Sequence, residues 1–356
     1  MEKKIEVGIL GATGTVGQRF VQLLENHPWF ELTWVAASDR SAGKRYGEAM
    51  SWQQAGAPPA RVAEMTVEEC IPGNGPRLVF SSMASAQAGE IEAAFAQAGH
   101  IVVSNSGHFR MHEDVPLLVP EVNPGHLGLL AVQRRKRAWG DHGGGIITNP
   151  NCAAVVIVLP FAALRPFGLK RAVVTTFQAV SGAGYPGVPS LDILGNVIPY
   201  IGGDEERKVE TETPKILGDF DPGSDDAIRP LPLALSAACN RVPSIDGHMV
   251  TASFELDQKV SRAEIAAALT GFRGLPQERA LPSAPRQPIH LLPGHDRPQP
   301  RRDAGLDKGM GTAVGRLREC PVLGWKFVAL SHNVLRGAAG AAVLNAELMR
   351  SEGLLA

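Results

Sequence analysis

The sequence predicts an α/β protein: an N-terminal Rossmann-type parallel sheet, doubly wound, joined to an α+β domain with a largely antiparallel sheet. Three observations carry this. A short apolar strand, Ile5 to Leu10, runs straight into Gly11-Ala12-Thr13-Gly14-Thr15-Val16-Gly17 and then into an amphipathic helix. Predicted strands and helices alternate from there to about Thr148, the pattern of a parallel sheet with helices on its faces. Beyond Cys152 the strands lengthen and the helices become fewer, which suits antiparallel pairing. A length of 356 residues accommodates two domains.

The first helix is predicted to reach about Glu25, with Val16, Phe20, Leu23 and Leu24 on one face. Its G-x-x-G-x-x-G start permits a tight turn and lets the backbone approach a pyrophosphate at the helix N-terminus. The second predicted strand, from Glu31 to Ala37, ends in Ser38-Asp39-Arg40. An acidic residue at this place ordinarily holds the ribose 2′-hydroxyl of NAD, whereas an arginine accommodates the 2′-phosphate of NADP. Ser38 and Arg40, two apart, share a face and leave Asp39 pointing away, which favours NADP. Further βα units follow, with strands predicted over 78–80, 101–104 and 145–148 and a helix over 86–97. Ser81, Ser82, Ser104 and Asn105 stand at strand ends, the edge where ligands bind in such sheets, although serines there also serve as plain caps. In the second half, 169–180 reads as a long strand followed by the flexible SGAGYPGVPS. Strands are predicted over 250–256 and 325–331 and a helix over 261–270. The Pro- and Arg-rich residues 274–303 suggest an extended loop or crossing arm. An Ala-rich helix over 334–349 can return to the first domain.

Charge and composition exclude several classes. A net charge of −1 argues against non-specific binding to nucleic acid or anionic membranes. The cluster Arg134-Arg135-Lys136-Arg137 and the run Glu205-Glu206-Arg207-Lys208 read, on composition alone, as solvated helix faces. The start MEKKIEVGIL has too short an apolar part for a signal peptide, and the apolar run after Cys152 is broken by Pro160 before it could span a bilayer. The four cysteines, at 70, 152, 239 and 320, show no metal or disulfide spacing. A cytoplasmic protein without a membrane or nucleic-acid partner is expected.

The stretch IITNPNCAAVVIVLPFAAL, residues 146–164, carries the chemistry. A β-branched strand gives way to a Pro-Asn elbow, with Asn151 placed to cap the following helix. Cys152 then falls in the first helical turn, where free N–H groups and the helix dipole favour a thiolate and an oxyanion. A lowered thiol pKa is expected there; the alternative is a cysteine that merely fills the core. Arg241 and His248 flank a Pro-Ser-Ile-Asp-Gly turn, the histidine just ahead of a strand, where its imidazole can exchange a proton with the sulfur.

Read together, these motifs resemble the aspartate-semialdehyde dehydrogenase family, in the branch typical of archaea and fungi. The resemblance runs nearly end to end through GATGTVGQRF, SDRSAGKRY, SNSGHFRM, TNPNC, FQAVSGAGYPG, IGGDEERK with ETPKILG, RVPSIDGH, and RPQPRRDAGLDKGM with ALSHNVLRGAAG. It implies a Rossmann domain over 1–151, completed by residues 332–356, and a catalytic and dimerisation domain over 152–331. It also implies that Cys152 is the nucleophile, His248 the general acid/base, and Gln178 the residue orienting the carbonyl. Arg241 is implied to clamp the substrate carboxylate and Glu205 its amino group, while Arg110, Lys208 and Asn151 hold phosphate. NADP is implied at Gly11, Thr13, Gly14, Thr15, Val16, Ser38, Arg40, Ser181, Gly182 and Asn333. The implied partners are aspartate 4-semialdehyde, aspartyl phosphate and phosphate, in a homodimer or homotetramer. The chain departs from the family at Ala153, where a Ser or Thr is usual. The competing readings are a malonyl-CoA reductase of the same branch, an N-acetylglutamyl-phosphate reductase, and a catalytically silent NADP-binding regulator. The phosphate anchors and Glu205 speak against the first, Glu205 against the second, and the set Cys152, Gln178, Arg241 and His248 against the third.

Overall fold

Six short strands, β1 (Ile5–Leu10), β2 (Phe30–Ala37), β3 (Val67–Glu69), β4 (Leu78–Ser81), β5 (Ile101–Ser104) and β6 (Gly145–Thr148), make the first sheet of the computed structural model. The structure describes residues 3–139, 143–221, 223 and 228–355, so the outermost residues of the expected domain ranges, 1 and 356, lie outside it. All neighbours in the order β3-β2-β1-β4-β5-β6 pair in parallel. Strands covered on both faces read as continuous apolar runs, and β4 (LVFS) and β5 (IVVS) are buried at every position. Only β3 of this sheet was not expected; at three residues it is too short to show a period.

The second sheet takes its strands from β7 (Leu169–Gln178), β8 (Ile198–Pro199), β11 (Ala234–Arg241), β12 (His248–Leu256), β13 (Ile289–Leu291), β14 (Thr312–Cys320) and β15 (Gly324–Ser331). A separate small hairpin pairs β9 (Asp219–Phe220) with β10 (Ile228–Arg229). The seven-stranded order is β13-β14-β15-β12-β7-β11-β8. Its pairs are antiparallel except β7 with β11 and β13 with β14. Alternate residues of β12 are buried, as expected of a sheet covered on one face. The cover is the helix Ala154–Leu164, apolar all round and almost wholly buried. Phe161 of that helix meets Phe254 and Phe327 at centroid distances of 6.1 and 6.0 Å. Full burial of each such side chain is worth about 1.5–3 kcal/mol. This apolar floor holds the helix whose start Cys152 just precedes.

Three expectations need refinement. Residues 274–303 are not structureless: they hold the short helices Leu275–Glu278 and Pro300–Asp303 and strand β13. The segment does cross, since Ser283 donates to Glu347 from both its backbone and its hydroxyl, and Glu347 lies on the last helix, Gly340–Ser351. That helix is preceded by a π-turn, Leu335–Ala339, and packs in one core with Val7, Ile9 and Phe20. The basic cluster at 134–137 is not purely solvated. Arg134 donates to the carbonyl of Gly144 and Arg137 pairs with Asp114, ties that composition cannot reveal.

Candidate active site

Strand β6 delivers the chain to the carboxyl edge of the parallel sheet, and regular strand ends at Thr148, just before Asn149-Pro150. Regular helix begins only at Ala154, yet Asn151 still acts as its cap: its Oδ1 accepts the N–H groups of Ala153 at 2.8 Å and Ala154 at 3.1 Å. Cys152 sits inside that capped turn, its Sγ 3.2 Å from His248 Nε2. His248 opens β12 and is fully buried. Its Nδ1 accepts the Ala179 N–H at 3.1 Å. In a neutral imidazole with Nδ1 so engaged, the proton rests on Nε2 and faces the sulfur.

The electrostatics correct one expectation. The Cys152 thiol is not acidified: burial pushes it up to about 12, with the Glu205 carboxylate adding to the rise and Arg110 and Arg241 opposing it. Loss of hydration at the cleft floor outweighs the helix N-terminus, whose dipole effect is only about 0.3–1 kcal/mol. Burial, with Arg241 and His332 nearby, pulls His248 down to about 3. The resting pair is therefore a neutral thiol beside a neutral ring.

Above the pair opens a cleft of about 830 Å³ between the two sheets' edges. From the first sheet's side it is walled by Thr13, Gly14, Thr15 and Val16, and across from them by Ser181, Gly182 and Asn333. Asn333 Nδ2 donates to Ser181 Oγ at 2.8 Å and its Oδ1 accepts the Gly247 N–H at 2.8 Å, which fixes that wall. Arg110, Asn151, Glu205, Lys208 and Arg241 also face the cleft. Arg241 donates to the Ala179 carbonyl at 2.8 Å. Glu205 accepts the Asn151 Nδ2–H at 2.7 Å and lies 3.6 Å from Lys208 Nζ. Composition suggested a solvated face for Glu205-Glu206-Arg207-Lys208; none of the four is buried, but Glu205 and Lys208 face the cleft, and further along the same helix, Glu205–Ile216, Val209, Glu212, Thr213, Lys215 and Ile216 are buried.

Five of the expected residues stand apart from the cleft wall, one of them His248, buried behind Cys152. Gln178 is buried, does not line the cleft and donates to Thr176 Oγ1 at 3.3 Å. Gly11 lies beneath the turn, and Ser38 and Arg40 are exposed beyond the end of β2. Sequence reasoning passed over other residues that shape the site. Glu212 accepts from Arg110 and from the Asn151 backbone, though its place in an otherwise polar helix gave no sign of burial. Gly337, in the π-turn, lies so close that a Cβ there would come 2.8 Å from the Cys152 Cβ. Arg336 beside it is locked by two 2.8 Å bonds to buried Glu121. Among the described residues no group of three or more metal-ligating side chains comes together, and no helix is long and apolar enough to cross a membrane.

Residues 6–129 match the family model described as semialdehyde dehydrogenase, NAD binding domain, and residues 160–336 the one described as semialdehyde dehydrogenase, dimerisation domain. An aspartate-semialdehyde dehydrogenase of Methanothermobacter thermautotrophicus is 46% identical over 97% of this chain and 99% of its own. One from Cryptococcus neoformans is 46% identical over 99% of this chain and 98% of its own. The crystal structure of the Candida albicans aspartate semialdehyde dehydrogenase with NADP superposes with a TM-score of 0.90 at 39% identity, covering 98% of this chain and 99% of that one.

Proposed function

This chain belongs to the aspartate-semialdehyde dehydrogenase family of oxidoreductases, and on that premise we propose that it interconverts 4-aspartyl phosphate and aspartate 4-semialdehyde through a Cys152 thioester, with NADP as cofactor. The observation that carries the reading is the Cys152–His248 contact of 3.2 Å at the floor of a cleft that also receives Arg110, Glu205, Lys208 and Arg241. Biosynthesis of the aspartate-derived amino acids lysine, threonine, methionine and isoleucine is the setting this activity suits.

The residues fit the cofactor. Gly17 lets the first helix sit hard on the turn, since a Cβ there would meet the Gly11 carbonyl oxygen at 2.4 Å, and Thr13 to Val16 thereby present a helix N-terminus to a pyrophosphate. Gly11, Ser181, Gly182 and Asn333 complete that cradle, with Ser38 and Arg40 reading the 2′-phosphate. Bound there, NADP supplies hydride acceptance, and NADPH hydride donation, at the carbon carried by the Cys152 sulfur.

The protein's own steps are as follows. The Cys152 thiol adds to the aldehyde carbon: the C–S bond forms, the S–H bond breaks, and His248 gives its Nε2 proton to the former carbonyl oxygen as it takes the sulfur's proton in exchange. When that carbon has given up its hydride and the hydroxyl its proton, released to solvent, the adduct is a thioester. A phosphate oxygen then attacks it, the C–S bond breaks, and the proton that the phosphate gives up passes by way of His248 to the leaving sulfur, which returns to the thiol. The biosynthetic direction is the reverse. Arg241 clamps the α-carboxylate as a planar fork, which explains arginine over lysine. Glu205 takes the ammonium, which also neutralises the carboxylate that raises the thiol's pKa. Arg110, Lys208 and the second N–H of Asn151 Nδ2 hold phosphate. Gln178, whose Nε2 has a second N–H beyond the one given to Thr176, orients the substrate carbonyl. Ala153 leaves the elbow without the usual hydroxyl, but its N–H is held by Asn151 all the same.

We divide the chain into a cofactor domain, 1–151 with 332–356, and a catalytic and dimerisation domain, 152–331, supported by the packing of the last helix among Val7, Ile9 and Phe20. A homodimer or homotetramer in the cytoplasm is the form we expect.

NADP reduction with aspartate semialdehyde, with and without phosphate, tests the reading: steady turnover should require phosphate, and arsenate should replace it. Lys208→Ala should raise the KM for phosphate more than that for the semialdehyde. Steady turnover with CoA and no phosphate would instead establish a CoA-thioester reductase. Separately, Arg40→Ala should weaken NADP binding by about one to two decades, the worth of one charged hydrogen bond, and leave NAD use unchanged. Equal loss with both cofactors in a titration would show that Arg40 does not read the 2′-phosphate.

A further inference from the structure

The helix Glu205–Ile216 approaches the nucleophile's turn with two carboxylates, seven residues apart and therefore on one face. Glu205 looks into the cleft, whereas Glu212 is 1% exposed and does not line it. Glu212 Oε2 accepts the Asn151 N–H at 2.5 Å, directly before Cys152, and Oε1 accepts from Arg110 Nη1 at 3.2 Å. One buried carboxylate thus joins the backbone of the nucleophile's elbow to the guanidinium facing the cleft. The rest of Arg110 is held nearby. Its Nη2 donates to the Asn105 carbonyl at 2.7 Å, and Lys215, one turn beyond Glu212, donates to the Arg110 carbonyl at 2.7 Å. Burial raises the Glu212 carboxyl's pKa, while Arg110 and the Asn151 N–H work to keep it charged.

We infer that Glu212 is a positioning residue for the phosphate step: it aims Arg110 at the place where phosphate meets the Cys152 thioester and sets the distance between that anion site and the sulfur. The inference rests on the phosphate reading above. Glu212 touches neither substrate nor cofactor, so it acts through Arg110 and Asn151. A carboxylate suits this place because it can accept from both at once. Glutamine keeps the shape and one accepting oxygen but turns N–H donors toward one of the two partners.

The test is the kinetics of Glu212→Gln and Glu212→Asp with phosphate and semialdehyde varied separately, alongside Arg110→Lys and the double variant Arg110→Lys/Glu212→Gln. Both Glu212 variants should raise the KM for phosphate by about 10- to 100-fold, the loss of one charged hydrogen bond, with the KM for semialdehyde and NADP affinity little changed. Adding Glu212→Gln to Arg110→Lys should cost far less than it does alone, since both act on one contact. If Glu212→Gln does not fold, Glu212→Asp, which keeps the charge one methylene short, carries the test. A phosphate-dependent wild type with an unchanged or lower phosphate KM in the variants overturns this inference alone. So does an equal loss for both substrates with a lowered melting temperature, the mark of a merely structural role. A wild type that turns over without phosphate overturns the phosphate reading and this inference with it.

Discussion

Cys152→Ser is expected to abolish turnover, by about 10⁴-fold or more, the scale at which loss of a nucleophile costs other covalent enzymes, while NADP affinity stays nearly intact. The serine hydroxyl fits the same capped turn, so Asn151 keeps its bonds to the Ala153 and Ala154 N–H groups and the helix keeps its start. What is lost is a polarisable sulfur able to form and release a thioester. Stopped-flow reduction with the semialdehyde and equilibrium cofactor titration separate the two effects. Cys152→Ala retaining more than a few per cent of activity would show the nucleophile misassigned. The thiol's environment adds a pH signature. With the unliganded thiol pushed up to about 12, the thiolate fraction grows tenfold per pH unit across the working range. Alkylation of Cys152 by iodoacetamide should rise steadily from pH 7 to 10 in the free enzyme, without a plateau. An amino-acid ligand that lacks the aldehyde should speed it when bound, because an ammonium on Glu205 offsets the carboxylate that helps hold the thiol neutral.

The parts of this site that could be read in the sequence are those where a local rule binds neighbouring residues. Gly11 to Gly17 lie within one turn, and the need for close backbone approach there is visible as glycine spacing. Asn151 caps the very next turn, so its residue type announces its bond. Strands β1 and β5 match their expected limits because β-branched apolar runs end at polar or glycine residues. Contacts between distant segments were not legible. Nothing within 205–216 tells which of its charged residues turns inward, because that depends on Arg110 and Asn151, 102 and 61 positions away from Glu212. The same reason hid the crossing segment's tie from Ser283 to Glu347 and the bond between Arg336 and Glu121. The thiol's state was misread for a different cause: the helix N-terminus is a local feature, whereas the burial that overrides it comes from the whole cleft floor.

His248→Asn should reduce kcat by about 10²- to 10⁴-fold, the range for a positioned acid/base group. This substitution is the informative one. An asparagine carbonyl can occupy the place of Nδ1 and go on accepting the Ala179 N–H, so the local fold retains its bond. Only the Nε2–H that faces the sulfur is removed. His248→Gln, whose longer amide brings an N–H toward the Nε2 position, should recover part of the loss. Rates for His248→Asn within tenfold of wild type would sink the assignment. The same pair of proteins tests the ring's protonation. Because His248 is pulled down to about 3 in the fold, against about 6.5 in the unfolded chain, the unfolded state binds a proton that the folded state refuses between those values. Stability from this group is therefore whole above pH 6.5 and is lost as pH falls toward 3, by up to about 1.4 kcal/mol per unit. His126, pulled down to about 4 by its own burial, contributes in the same direction in both proteins. The difference between wild type and His248→Asn isolates the active-site ring. From pH 7 to pH 4 the melting temperature of the variant should fall less than that of wild type. Parallel curves would mean that the ring titrates alike folded and unfolded, and a larger fall in the variant would mean that the fold favours the protonated ring and the resting pair is an ion pair.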